Sequence, residues 1–125
     1  MIWIAVAAGG AAGSVARHAL NVWFGHAIGH AVPYATAAVN LLGSFVIGIL
    51  AGLIAVERLH MSPALRAFVF VGILGGFTTF SSFMLDTLTL VQGGEPASAF
   101  ANVAAQTLLG AGLVWAGYAL AHGLR

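Results

Sequence analysis

Long apolar stretches alternate with short polar breaks along the whole chain. The first stretch runs from Met1 to about Trp23, with Arg17 and His18 inside it, and Gly25, His26, Gly29, His30 and Pro33 then read as a loop. The second, Tyr34 to Val56, carries no charge and ends at Glu57, Arg58 and His60. Ser62-Pro63 opens the third, in the way a serine N-cap followed by proline at the first helical position would. That stretch continues to about Val91 with Asp86 inside it, and Gly93-Gly94-Glu95-Pro96 turns the chain into the fourth, Ala97 to Ala121. Each stretch is near or above the roughly 20 residues that a membrane-spanning helix needs. Barrel strands would be about 10 residues long and would alternate, whereas these stretches are apolar on all sides. The pattern predicts one all-α integral membrane domain over residues 1–125, with transmembrane helices at about 1–25, 34–56, 64–91 and 97–122. Short loops make neighbouring helices antiparallel.

Composition supports a bilayer as the solvent. The chain is 61% hydrophobic and only 6% charged, where a soluble domain carries roughly 25% charged residues. A net charge of +1 with no basic cluster excludes phosphate-backbone binding. The absence of cysteine excludes disulfides and thiolate chemistry. The N-terminus lacks the basic segment of a signal peptide and is read as part of the protein. Four spans place both termini on one side with Arg58, Arg66 and Arg125, leaving Arg17 nearer the other. The positive-inside rule then favours cytoplasmic termini. So small a bias is compatible with insertion in both orientations.

Glycines recur four apart at Gly9 and Gly13, Gly48 and Gly52, and Gly72 and Gly76, a spacing that lets helix backbones approach closely. A bundle this small has little interior of its own, so a homo-oligomer is expected. No GxSxG, HExxH or Walker loop is present, and no enzyme is predicted. The histidines fall in loops or near span ends without a ligand cluster beside them.

Polar groups inside a membrane face a partner or a water-filled path. The densest cluster is Gly75-Gly76-Phe77-Thr78-Thr79-Phe80-Ser81-Ser82-Phe83. Its glycines and hydroxyls weaken a helix and predict a break near the middle of the third helix. Such a break is tolerated where the backbone is buried in protein or lines a cavity; a kink healed by serine and threonine is the alternative. Phe80 and Phe83, three apart, share a helix face, and their positive ring edges could face an anion or simply pack. Asn40 lies mid-span with Ser44 one turn on, as a pathway donor or as a link between helices. Arg17 either serves an anion or snorkels to the headgroups. Gln106 and Thr107 mark a polar face of the fourth helix, lining something polar or joining helices.

Three segments resemble one known family. They are Gly9-Gly10-Ala11-Ala12-Gly13-Ser14-Val15-Ala16-Arg17, Asn40-Leu41-Leu42-Gly43-Ser44-Phe45-Val46-Ile47-Gly48, and Gly72-Ile73-Leu74-Gly75-Gly76-Phe77-Thr78-Thr79-Phe80-Ser81-Ser82-Phe83. Together they are similar to the glycine-rich opening, the asparagine motif and the third-helix signature of the Fluc (CrcB) fluoride channels. The resemblance implies an antiparallel, dual-topology homodimer in the bacterial inner membrane, exporting fluoride passively through two pathways. It implies that Asn40, Phe80, Phe83, Ser81, Ser82 and Arg17 line the fluoride path. It further implies a central Na+ held by the backbone carbonyls of Gly75 and Thr78 from both subunits. Ser82, Asp86 and Gln106 depart from the residues common in the family, which bears on the outer part of the path. The alternative reading is a small proton-coupled drug or cation transporter, for which Asp86 is the one intramembrane carboxylate available.

Overall fold

The computed structural model describes residues 1–30 and 32–124. Arg125, counted above among the arginines near the termini, lies outside the described residues. Among them every regular element is helical. Helix α1 spans Ile2–Ile28 and α2 spans Tyr34–Ala55. Helix α3 covers residues 63–77 as a short α-turn at Pro63–Arg66, a π-helical run at Ala67–Leu74 and a final α-turn at Gly75–Phe77. Helix α4 is Phe80–Gln92 and α5 is Pro96–Gly123.

Local chemistry accounts for several of these boundaries. The Ser62 hydroxyl accepts the Leu65 N–H at 3.2 Å, and Pro63 follows at the first helical position, where its missing N–H costs nothing. Gly25 and His26 do not begin the loop, as the glycine-histidine pattern suggested. The helix runs through both and stops at Gly29, whose φ of 82° is left-handed and whose N–H bonds to Gly25 O. A left-handed residue ends a helix, and glycine takes that conformation without strain.

Three stretches are long and apolar enough to cross a membrane: Tyr34–Ala55, Pro63–Gln92 and Pro96–Gly123. Helix α1 has 27 residues but is not among them. Arg17-His18 and the glycines at positions 9, 10 and 13 dilute its apolar character. Trp3, Phe100 and Trp115 are each more than three-quarters exposed, and Leu108 nearly as much. That outward apolar surface is what a bilayer solvates. The chain is a multi-pass membrane protein.

The helices associate as two pairs, α1 with α3 and α2 with α5, and small residues make both contacts possible. A Cβ on Gly9 would run into the Phe68 carbonyl and stand 3.0 Å from Gly72 Cα, while one on Gly76 would lie 2.6 Å from Gly10 O. Gly48 is pressed in the same way against the Val114 carbonyl, and Gly117 lies against α2 with Ile49 N 2.8 Å from where its Cβ would be. These close approaches fall between helices of one chain.

Between α3 and α4 the backbone leaves helical geometry for two residues. Thr78 (φ −78°, ψ 159°) and Thr79 (φ −155°, ψ 127°) are extended. The chain changes neighbour there, since α3 lies along α1 whereas α4 lies along α5.

Candidate functional site

Two extended residues leave backbone groups without the partners a continuous helix would supply. Thr78 remains tied to α3, because its N–H and its hydroxyl both donate to Leu74 O, at 2.9 and 2.8 Å. Thr79 turns away. The Thr79 N–H, which would have reached Gly75 O in a continuing helix, donates instead to Asn40 Oδ1 at 2.8 Å. Asn40 Nδ2 donates back to Thr79 O at 2.9 Å and also to Gln106 Oε1 at 2.8 Å. Both amide hydrogens of Asn40 are thus committed within the chain, and none is left over for an ion in this arrangement.

Thr79 also caps α4. Its Oγ1 accepts the Ser82 N–H at 3.2 Å and donates to Ser82 Oγ at 3.1 Å. This N-cap sets the direction in which α4 leaves, and so the facing of the next turn. Phe80 is 72% exposed whereas Phe83 is buried, and their rings meet edge to face with centroids 5.7 Å apart. Ser81 is exposed and Ser82 half-buried.

Two depressions meet at Thr79. One is an open groove of about 620 Å³, lined by Asn40, Ser44, Gly75, Thr78, Phe80 and Phe83 among others. The other is a polar recess of about 230 Å³, where Ser14, Arg17, His18 and Asn21 of α1 face Thr36, Thr79 and Ser82. Arg17 is half-buried there among hydroxyls, an imidazole and an amide, with no carboxylate among the lining residues. Such a pocket favours an anion. The structure therefore gathers Asn40, Gly75, Thr78, Phe80 and Phe83 on the groove, and Arg17 with Ser82 in the recess. Ser81 lines neither.

Gly75 and Thr78 meet the chemical requirement for a hard cation in one respect. Gly75 O has lost its helical donor to Asn40, and Thr78 O belongs to an extended residue at a helix end. Backbone carbonyls of this kind are the oxygen ligands that alkali cations take. Two per chain are too few to enclose an ion, so a site would need the same pair from a second copy.

Sequence reasoning did not find the double role of Thr79. Nor did it find that Asn102 and Gln106 are buried, at 6% and 8% exposure. Their spacing of four, on one face of an apolar helix, was the available signal. Asp86 is buried as well, and its Oδ2 has no hydrogen-bond partner among the described residues.

This combination defines a multi-pass membrane protein in which the extended Thr79 has an aromatic groove on one side and a cationic recess on the other. The chain belongs to the CrcB-like (camphor resistance) family, whose sequence profile it matches over residues 4–118. It is 54% identical over 117 residues to the fluoride-specific ion channel FluC of Rhodospirillum centenum, covering 94% of this chain and 92% of that protein. It is 49% identical over 114 residues to the fluoride-specific ion channel FluC of Nitrobacter winogradskyi, covering 91% and 90%. The FluC of Rhizobium meliloti is 44% identical over 115 residues, covering 92% and 91%.

Proposed function

We propose that this chain is a fluoride channel that lets the anion leave the cytoplasm down its electrochemical gradient, and is not an enzyme. The observation that carries the reading is the near full-length similarity to proteins named fluoride-specific ion channels. The geometry around Thr79 supports it. Fluoride is small, strongly hydrated and a strong hydrogen-bond acceptor, so a path must offer donors in place of water. The recess offers the Arg17 guanidinium with the Ser82 hydroxyl, and the groove offers the ring edges of Phe80 and Phe83. Weak edges suit the middle of a path, because an ion held too tightly does not leave. Ser81 completes the set on the exposed face of α4. Asn40 serves the path by holding Thr79 in its extended form.

In this reading the membrane is the bacterial inner membrane, and the interruption at Thr78-Thr79 lies mid-membrane in the third of four spanning helices. The active unit is an antiparallel homodimer of chains inserted in both orientations. Phe80, exposed at the rim of an open groove, then meets the second copy. The Gly75 and Thr78 carbonyls of both copies hold a Na+ at the centre, a fixed positive charge that raises the potential for an anion without itself moving.

The test is efflux from liposomes carrying the purified chain, with valinomycin present and fluoride and chloride followed by electrodes. Rapid fluoride release without chloride release supports the reading. A folded, dimeric preparation that releases no fluoride overturns it.

A further inference from the structure

Asn40 does not end the hydrogen-bonded chain that begins at Thr79. Gln106 accepts from Asn40 through Oε1 and donates through Nε2 to Asn102 Oδ1 at 2.8 Å. Asn102 Nδ2 donates to Thr87 Oγ1 at 3.0 Å, and Thr87 Oγ1 donates to Phe83 O at 2.8 Å. The ladder leaves α4 at its cap, crosses α2 and one turn of α5, and returns to α4 one turn beyond Phe83.

From Asn40 onward every step runs in the same sense, and the Thr79 backbone dictates that sense. Its N–H requires Asn40 Oδ1 and its C=O requires Asn40 Nδ2. The second Asn40 hydrogen then requires an acceptor at Gln106, which leaves Gln106 Nε2 to find an acceptor at Asn102. Each amide has a single orientation that satisfies both of its neighbours. Asn102 and Gln106 are buried, so a rung that is cut leaves groups with little access to water, Gln106 meeting it only where it lines the groove.

We infer that Gln106 and Asn102 are positioning residues of the ion path: they fix, through Asn40 and Thr87, the rotation of the α4 segment that carries Phe80, Ser81, Ser82 and Phe83. Neither needs to touch the ion. The inference rests on the fluoride-channel reading, because the path is what the ladder positions. Its chemical requirement is narrow. The group at position 106 must accept on one side and donate on the other. A protonated carboxyl does both, since its carbonyl oxygen accepts and its hydroxyl donates. An ionised carboxylate only accepts and would oppose Asn102 Oδ1.

The experiment is the unitary fluoride current of the purified full chain in planar bilayers. It reads only channels that have folded, and electroneutral hydrogen fluoride does not register in it. Currents are compared at about pH 9 and about pH 5, a span that covers a glutamate carboxyl raised by burial. A fluoride current from the native chain tests the channel reading before any variant is compared. Gln106→Leu is expected to lower the unitary current about tenfold or more, as a buried broken hydrogen bond would. Gln106→Glu is expected to conduct as poorly at the higher pH and to recover toward the native current at the lower one, relative to the native chain at each pH. Asn102→Leu added to Gln106→Leu is expected to lower the current no further, because the ladder is already cut. A Gln106→Glu current that is native at both pH values, or absent or equally low at both, overturns the inference. So does a native current from Gln106→Leu, or full additivity in the double variant. Should Gln106→Leu form no channels, the pH response of Gln106→Glu decides.

Discussion

The side chain of Asn40 holds both backbone groups of Thr79, accepting its N–H at 2.8 Å and donating to its carbonyl at 2.9 Å. One amide thus replaces the two helical bonds that an extended residue gives up. The same residue joins α2 to the start of α4, which turns a local break into a fixed corner.

Asn40→Asp is expected to abolish most fluoride flux. A carboxylate still accepts the Thr79 N–H but donates to neither Thr79 O nor Gln106 Oε1, and it places a like charge beside the path. Two part-buried acceptors left unpaired cost about 1–3 kcal/mol each, so the yield of folded protein falls too. Efflux per mole of folded protein is the measurement; native efflux from Asn40→Asp would remove the amide from any role at Thr79.

The two phenylalanines should separate flux from stability. Phe80 is 72% exposed, and Phe80→Ile is expected to leave the thermal stability of the solubilised protein unchanged within about 0.5 kcal/mol while slowing efflux severely. Phe83 is buried, and Phe83→Ile is expected to slow efflux and to cost about 1–3 kcal/mol in stability. Efflux from Phe80→Ile equal to that of the native chain would take its ring out of the path.

Arg17 offers a charge rather than a shape. Arg17→Gln is expected to lower fluoride conductance most at low ionic strength. The difference from the native chain should narrow near 1 M salt, where the Debye length falls from about 10 Å to about 3 Å. A deficit independent of ionic strength would mean that Arg17 acts through its hydrogen bonds instead.

The glycine contacts predict a loss of assembly within the chain. Gly48→Val would drive a side chain into the Val114 carbonyl, and Gly76→Val would drive one into Gly10 O. Both obstacles are backbone and cannot rotate away, so each variant is expected to lose about 1–3 kcal/mol or to fail to fold. Gly112→Ala, which meets nothing within 4 Å, is the control and should be neutral. Thermal unfolding in detergent distinguishes the three.

How much of this was legible depends on how far apart the cooperating residues lie. Thr78 and Thr79 leave the helix inside a stretch whose glycines and hydroxyls weaken helices, so local chemistry marks the place. Ser62-Pro63 opens α3 for reasons contained within four residues. Helix α1 ends at Ile28, about three residues beyond the expected end. Gly25 and Gly29 look alike as letters, and only the left-handed backbone at Gly29 separates them. The Asn40–Thr79 pair is 39 residues apart and the Asn40–Gln106 pair 66. No periodicity carries that information. Asn40 and Gln106 stand out in the sequence as polar residues out of place, but their order in one ladder with Asn102 does not. It follows from how α2, α4 and α5 sit together.

Helix α1 is not among the described stretches long and apolar enough to cross a membrane by length and composition alone. Its backbone seat, the Gly72 and Gly76 face of α3, is synthesised much later. The α1–α3 contact therefore closes only after the intervening α2 has been made.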